Sequence, residues 1–150
     1  NKISSSEIRE NLKAGKIELA NKDLKRNFSV AGKVIKGDQR GRTIGIPTAN
    51  LEYPLNTVAI PYGVYAVETL IEGNTYFGIV NFGIRPTFNK DKPIVEAYLF
   101  DFDNNIYDKD IEILFHKQIR QEKKFNDIKE LLNQINIDIA EAKKILKYGN

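Results

Sequence analysis

The residues with the clearest chemical potential form a short polar pair behind a proline. Thr48 and Asn50 stand two residues apart, directly after Pro47. Proline disfavours a helical conformation in the residue before it, and side chains two residues apart in an extended segment point to the same side. A hydroxyl and an amide oxygen so placed are neutral ligands that suit a hard cation such as Mg²⁺. The alternative is a capped turn in which both side chains satisfy backbone groups.

The loop before this pair, residues 36–46, favours a nucleotide as the companion of such a cation. Neutral ligands do not offset the double charge of Mg²⁺, so phosphate groups would have to do so. Gly37 and the other glycines of the loop would let backbone N–H groups approach phosphate oxygens, and Arg40 and Arg42 add positive charge. The loop matches neither the Walker pattern nor G-x-G-x-x-G. A surface loop of another function would have the same composition.

A third candidate is Glu96, which lies inside the apolar segment 93–102. In an extended strand it shares a face with Ile94, Tyr98 and Phe100. A carboxylate on such a face is costly unless it is paired or borders a cavity. It suits a general base for a hydroxyl group, and it equally suits an ion pair with one of the many Lys or Arg side chains. The residues alone leave both roles open.

The charged segment 119–125, IRQEKKF, follows the last apolar strand pattern. Arg120 and Phe125 could offer a cation and a ring to a planar aromatic ligand. A charged, solvated entrance to a helix is the alternative explanation. His116, just before this segment, has no evident Ser, Asp or metal partner, and we expect it to be structural.

Alternating apolar residues predict the strands that must position these side chains. The predicted strands span residues 28–35, 63–71, 75–83, 93–102 and 110–116. Strands joined by turns rather than by helices build an antiparallel sheet, and closure into a small barrel removes exposed edges. We therefore predict a mainly β fold with helices, in which five or six antiparallel strands form a Greek-key or split barrel.

Helical periodicity appears at both ends of the chain. Two short helices are predicted over residues 4–15 and 16–25, the first with a capping box. Two further helices are predicted after Asn126, the second capped near Asn136 or Asp138. We expect these C-terminal helices to pack on the outside of the barrel.

Composition restricts the class of protein. A chain of 150 residues with 41% hydrophobic and 29% charged residues fits one globular domain. No run approaches the ~18 apolar residues of a membrane span, and the first ten residues do not form a secretory signal. The absence of cysteine excludes disulfides and thiolate metal sites and fits a cytoplasmic location. A net charge of +3 permits a phosphate-bearing ligand without requiring nucleic acid.

Taken in order, five segments resemble the successive motifs of the riboflavin kinase (flavokinase) family. They are GKVIKGDQRGRTIGIPTANL, PYGVYAV, GIVNFGIRPTF, VEAYLFDFDNNIYDKDIEILF and IRQEKKF. The resemblance runs from about residue 28 to 146. The leading segment ISSSEIRENLKAGKIELAN is similar to the end of the adenylyltransferase module of bifunctional bacterial riboflavin kinase/FAD synthetases. Together the two resemblances imply a riboflavin kinase domain over residues 27–150, preceded by a helical remnant or linker of the adenylyltransferase module over residues 1–26.

The resemblance implies a six-stranded antiparallel barrel that transfers the γ-phosphate of ATP to the 5′-hydroxyl of riboflavin, giving FMN and ADP. Riboflavin and ATP would be its small-molecule partners, with Mg²⁺ as cofactor and ATP as phosphoryl donor. It implies no nucleic-acid or membrane partner. The adenylyltransferase module of the same parent chain would be a further partner. Because the sequence has one histidine, it cannot contain the nucleotide-binding histidine motif of that module, and FAD synthesis is not expected of these residues.

The same resemblance assigns roles to individual residues. Thr48 and Asn50 match the Mg²⁺-binding pair of the family, and Glu96 matches its catalytic carboxylate. The remaining matches fall in two loops, one over the nucleotide and one over the flavin; they are Gly37 and Arg42 in the first, and Arg120 with Phe125 in the second.

Two other functions compete with this interpretation. A small basic barrel could bind single-stranded nucleic acid, which requires Tyr and Phe interleaved with Lys on an outer face. The apolar alternation around Tyr65, Phe82, Tyr98 and Phe100 instead predicts that these rings mostly face inward. A flavin carrier or reductase-type barrel could bind FMN without phosphorylating anything, but it would leave the polar pair and the carboxylate without a purpose.

Overall fold

The computed structural model describes residues 5–35, 48–86, 91–102 and 106–149. Six strands in these ranges form one antiparallel sheet in the order β1-β6-β3-β4-β5-β2. The strands are β1 (Ser29–Lys33), β2 (Thr48–Glu52), β3 (Gly63–Ile71), β4 (Asn74–Pro86), β5 (Asp91–Leu99) and β6 (Asp110–Gln121). The helices described are α1 (Ser5–Lys13), α2 (Ile17–Leu24) and α3 (Ile128–Leu146).

The two edge strands of the sheet approach each other, so that the sheet is a nearly closed barrel. The contact is a bridge just beyond β1, where the Ile35 N–H donates to the Asn50 carbonyl at 2.8 Å. This bridge pairs part of the two edges that an open sheet would expose. The predicted antiparallel barrel is confirmed, and Thr48 to Glu52 form one of its strands rather than a turn.

Strands β3 and β5 are buried on both faces over most of their length, which explains their nearly continuous apolar sequence. On β3, Tyr65, Val67 and Ile71 belong to the core cluster inside the barrel. Val64 and Ala66, on the opposite face, pack in a second cluster with the apolar stripe of α3. β5 is likewise buried on both faces from Ile94 to Leu99, and it lies between β4 and β2 in the sheet. The prediction that this strand is a barrel wall is confirmed.

The aromatic residues divide between these two clusters. Tyr65 and Phe82 pack inside the barrel, as predicted. Tyr98 and Phe100 do not face inward; they pack in the outer cluster, where Tyr98 is 2% exposed beneath α3. The prediction was wrong for these two residues because the sequence pattern shows that a face is buried, and not which layer covers it.

The predicted N-terminal helices are confirmed as α1 and α2, and they close one part of the barrel core. Ile17 and Ala20 of α2 are fully buried in the inner cluster, together with Leu12 of α1. The Asn21 amide group donates to the Phe115 carbonyl at 2.7 Å, and its oxygen accepts from the Phe28 N–H at 2.6 Å. The assignment of residues 1–26 to a preceding adenylyltransferase module stays a prediction.

The predicted pair of C-terminal helices is wrong, because α3 is continuous. Its N-cap is Asp127, whose side chain accepts from the Glu130 N–H at 2.8 Å. Asn136 and Asp138 lie in the helix interior, with no Gly or Pro between them to interrupt the hydrogen-bond ladder. The helix ends at Lys147, which adopts the left-handed conformation. None of the helices in the described ranges has the length and apolar character needed to cross a membrane.

The buried Tyr65 and the partly buried Tyr53 fix the connection between β2 and β3. The Tyr53 hydroxyl donates to the Val58 carbonyl at 2.6 Å, and the Tyr65 hydroxyl donates to the Pro61 carbonyl at 2.5 Å. Loss of hydration on burial raises the pKa of Tyr53 well above its usual value. Burial does the same to the pKa of Tyr65, with a smaller contribution from Tyr53. Both hydroxyls therefore stay protonated and serve as hydrogen-bond donors.

Candidate active site

The register between β2 and β5 brings the three polar candidates onto one face of the sheet. Asn50 lies opposite Glu96, and Thr48 lies opposite Tyr98. Directly opposed residues in an antiparallel pair share a face, with Cβ atoms about 4.5–5.5 Å apart. That face is the outer one, since Ala49 between them belongs to the inner core. The polar pair and the carboxylate therefore share a site.

Glu96 is buried at this site. Its side chain is 1% exposed, and the Tyr98 hydroxyl donates to its Oε1 at 2.8 Å. Two residues apart on one strand, the tyrosine ring and the carboxylate lie side by side on the outer face. A donated hydrogen bond is the form of compensation that a buried carboxylate requires.

The strand register extends this site into a row of residues around the outer face of the barrel, which we call the polar row. Asn81 of β4 lies opposite Glu96, and its other neighbour is Val64 of β3. Val64 in turn lies opposite Arg120 of β6. Five adjacent strands thus place Asn50, Glu96, Asn81, Val64 and Arg120 in one row on the outer face. Arg120 stands three strands from Glu96, or about 14 Å at the usual strand spacing.

Arg120 is held by a buried carboxylate of α3. Its Nε donates to both oxygens of Asp138, at 3.0 and 3.1 Å, and its Nη2 donates to Oδ2 at 2.9 Å. Asp138 is 1% exposed and also accepts from the Gln134 amide at 3.0 Å. Arg120 was expected in the segment after the last strand. It is instead a strand residue, because β6 continues to Gln121. The guanidinium fastens α3 to the barrel.

Phe125 lines a cavity of about 720 Å³ beside this row. The cavity lies between β4, the segment 122–125 and the first turns of α3, and its walls include Asn81, Ile84, Ile128 and Leu131. Four charged residues, Glu122, Lys123, Lys124 and Asp127, complete the lining. The volume and the apolar part of the wall suit a ring-sized ligand. The Arg120 guanidinium stands 5.8 Å from the centre of the Phe125 ring, so it supports one wall from outside the cavity.

The donors beside Glu96 fit a hard cation that arrives with its own negative charge. Asn50 is 7% exposed and Thr48 is half-buried, so both are sheltered without being enclosed. Their oxygen atoms are of the type that Mg²⁺ prefers. Among the described residues there is no cluster of three or more His, Cys, Asp or Glu side chains for a metal ion. Gly37 and Arg42, predicted to cover the nucleotide, lie outside the described residues.

His116 was expected to be structural, and its contacts join neighbouring elements of the fold. Its Nε2 lies 3.0 Å from the Asn27 amide nitrogen and 3.7 Å from a carboxylate oxygen of Glu68. These contacts join β6 to the start of β1 and to β3, away from the polar row.

Comparison with known proteins identifies the family. The family model described as Flavokinase, riboflavin kinase, matches residues 24–146. The chain belongs to the riboflavin kinase family. The matched range includes all six strands and α3, and therefore every residue of the polar row.

Curated relatives of the riboflavin kinase family agree with this result. The bifunctional riboflavin kinase/FMN adenylyltransferase of Bacillus subtilis (strain 168) is 47% identical over 144 residues, which cover 94% of this chain and 46% of that protein. The protein of the same name from Pseudomonas fluorescens is 36% identical over 145 residues, or 96% of this chain and 46% of that one. The chain thus spans about half the length of the curated relatives it matches.

Solved structures share the fold of this riboflavin kinase domain. A riboflavin kinase from Trypanosoma brucei has a TM-score of 0.56 at 19% identity, covering 81% of this chain and 80% of that one. A protein from Streptococcus pneumoniae named as a macrolide-efflux protein has a TM-score of 0.83 at 34% identity, covering 91% of this chain and 45% of that one. That name differs from those of the curated relatives, which agree with the family model.

Asp138 is the functional neighbour that the sequence interpretation missed. It was predicted as a possible helix cap, whereas its carboxylate is the partner of Arg120. A signal for this role exists in the spacing of α3, because Leu131, Ile135, Asp138 and Ala142 follow each other at intervals of four, three and four residues. A carboxylate in an apolar stripe of that period points into the protein and needs a cation there.

Replacement of Asp138 by alanine should destabilise the protein strongly. The substitution leaves the Arg120 guanidinium, which is 17% exposed, without its buried counter-charge. Breaking such a pair costs about 3–5 kcal/mol of unfolding free energy. Urea unfolding followed by circular dichroism measures the loss. Asp110→Ala is the matched control, because its contact with Lys33 is exposed and 3.9 Å long. An equal loss of stability in both variants would contradict the role of Asp138.

Proposed function

We propose that this chain transfers the γ-phosphate of ATP to the 5′-hydroxyl of riboflavin, forming FMN and ADP. The observation that carries the proposal is the position of Asn50 opposite the buried Glu96, with Thr48 on the same face. A cavity of ring size adjoins this row. Membership of the riboflavin kinase family supports the same reaction.

The polar pair is the proposed holder of the metal. The Thr48 hydroxyl and the Asn50 amide oxygen would bind Mg²⁺ that enters as its ATP complex, because neutral ligands alone do not offset the charge of the ion. When bound, the cation supplies neutralisation of the negative charge on the β- and γ-phosphates. The backbone of the loop with Gly37, and the side chain of Arg42, would contribute further donors to the phosphates.

Glu96 is the proposed general base. Its Oε1 accepts from Tyr98, and the carboxylate would orient the primary hydroxyl of the substrate. The hydroxyl O–H bond breaks as the proton passes to the carboxylate, and the alcohol oxygen forms a bond to the γ-phosphorus. The bond between that phosphorus and the bridging oxygen breaks, and ADP leaves. Because the transition state is loose, positioning is the main task of the protein.

The flavin ring is proposed to occupy the cavity beside Phe125. An aromatic ring and apolar side chains offer stacking and burial to the isoalloxazine system. Arg120 would act there by holding α3 and the Phe125 wall, since Asp138 neutralises its charge. We therefore propose that Arg120 does not contact the flavin directly, and that it positions the Phe125 ring that does.

The parent protein is proposed to be bifunctional. The curated relatives are about twice as long as this chain and are named for an adenylyltransferase activity as well. Residues 1–26 would then be the remnant or linker of that module, and the described residues would not make FAD themselves. The lack of cysteine fits a cytoplasmic enzyme. We propose no nucleic-acid or membrane partner.

The reaction can be tested directly. The chain is incubated with riboflavin, ATP and Mg²⁺, and the flavins and nucleotides are separated by chromatography. We expect FMN and ADP to appear in equal amounts, and to disappear when a chelator removes Mg²⁺. Binding of flavin without FMN formation would favour the carrier function. Binding of single-stranded nucleic acid without any flavin binding would favour the nucleic-acid function.

Replacement of Glu96 by glutamine should lower turnover about 10²–10⁴-fold, the usual contribution of a general base. The amide has nearly the same shape, so the dissociation constants of riboflavin and Mg-ATP should change little. Steady-state kinetics and flavin fluorescence titrations measure these two quantities. Glu68→Gln is the matched control, because this half-buried carboxylate lies near His116 and outside the polar row. Near-normal turnover of the Glu96 variant would remove this carboxylate from the mechanism.

Replacement of Thr48 by alanine should raise the KM for Mg-ATP by roughly tenfold or more, as expected when a contact to a charged group is lost. The dissociation constant of riboflavin should stay near its original value. Thr48→Ser, which keeps the hydroxyl, should restore most of the nucleotide affinity. A loss confined to riboflavin affinity would instead place Thr48 on the flavin side of the site.

A further inference from the structure

Asn81 has a buried side-chain oxygen that finds no hydrogen-bond donor in the described part of the chain. Its Oδ1 is buried and accepts no hydrogen bond from any described residue. Thr69 Oγ1 and Gln118 Nε2 are in the same condition. A buried carbonyl oxygen without a donor is costly, and its presence in a native protein requires an explanation.

The position of Asn81 distinguishes it from the other two residues. It lies opposite Glu96 in the polar row, and it also lines the 720 Å³ cavity with Phe125. Neither Thr69 nor Gln118 is part of the wall of that cavity. Asn81 is thus the residue that connects the proposed base with the proposed flavin pocket.

A ligand that satisfies Asn81 must bring a hydrogen-bond donor. The oxygens of a phosphate group are acceptors, and the nearby Glu96 carboxylate disfavours an anion. A polyol chain carries several hydroxyl donors and no charge. If its ring occupies the cavity beside Phe125 and its end reaches Glu96, the chain must pass Asn81. The spacing of about 4.5–5.5 Å between opposed Cβ atoms suits contacts with neighbouring hydroxyls of one chain.

We infer that Asn81 is a substrate-binding residue, whose Oδ1 accepts a hydrogen bond from a secondary hydroxyl of the ribityl chain. This inference rests on the proposed function. It makes Asn81 a determinant of specificity, because a site built around a buried acceptor rejects analogues that lack the matching donor. A flavin ring without the hydroxylated chain would bind in the same cavity and gain nothing from Asn81.

The test compares riboflavin with lumiflavin, which has a methyl group in place of the ribityl chain. Flavin fluorescence quenching gives the dissociation constant of each ligand for the original protein and for Asn81→Leu and Asn81→Ala. We expect both substitutions to raise the dissociation constant of riboflavin about three- to tenfold, as for one lost hydrogen bond. The dissociation constant of lumiflavin should stay unchanged. The alanine variant controls for the bulk of leucine.

Thermal unfolding of the ligand-free proteins provides a second readout. Leucine has the same branching as asparagine, with two methyl groups in place of the amide oxygen and nitrogen, and no polar atom to satisfy, so Asn81→Leu should match or exceed the original melting temperature. A merely structural asparagine would give a lower one. Thr69→Val is the matched control, because it removes another buried oxygen without a partner among the described residues, at a position that does not line the cavity. It should change neither dissociation constant.

The outcomes separate the inference from the function on which it rests. Three results would overturn the inference: equally weakened binding of riboflavin and lumiflavin, unchanged binding of both, or a lower melting temperature of ligand-free Asn81→Leu. Formation of FMN by the original protein would still uphold the proposed function in each case. Failure of the original protein to bind riboflavin or to form FMN would overturn both.

Discussion

The register between β2 and β5 is the constraint on which the whole site depends. Asn50 lies opposite Glu96 only because Ala49 and Leu51 are fixed in the inner core. A slip of one residue would turn Asn50 into the barrel and place an apolar side chain beside the carboxylate. Core packing, and the bridge from Ile35 that closes the barrel, therefore determine the chemistry of the outer face.

On the outer face, α3 covers β3, β4 and β6, beside the strand that holds the buried carboxylate. The helix brings its own apolar stripe over β3, β4 and β6, and the pair between Arg120 and Asp138 fixes its position. Buried ion pairs contribute little net stability compared with apolar packing, and they are costly when mispaired. Their effect here is to determine orientation, since Asp138 meets Arg120 in one placement of the helix. That placement also sets the wall of the cavity at Phe125.

The sequence predicted the parts of the fold that repeat a local pattern. Alternation gave the strands around Tyr65 and Glu96, and the two-sided burial of β5, because period two is a property of each strand alone. It could not assign the covering layer of Tyr98 or the partner of Asp138, which lies 18 residues away in Arg120. Both features depend on which helices and strands pack against each other in the folded protein. The site pair was predicted from spacing, but its position opposite Glu96 required the register.

The polar row also explains where this fold carries its energetic cost. Glu96 and the Asn81 oxygen are buried on a face where an apolar side chain would be more stable. Inside the barrel, the inner cluster around Val67, Val80 and Val95 is continuous and apolar. The fold therefore gains stability from the apolar clusters of both faces and loses part of it at the polar row of the outer face. Because neighbouring residues alternate between the faces, one strand can hold a rigid core and a polar site without compromise between them.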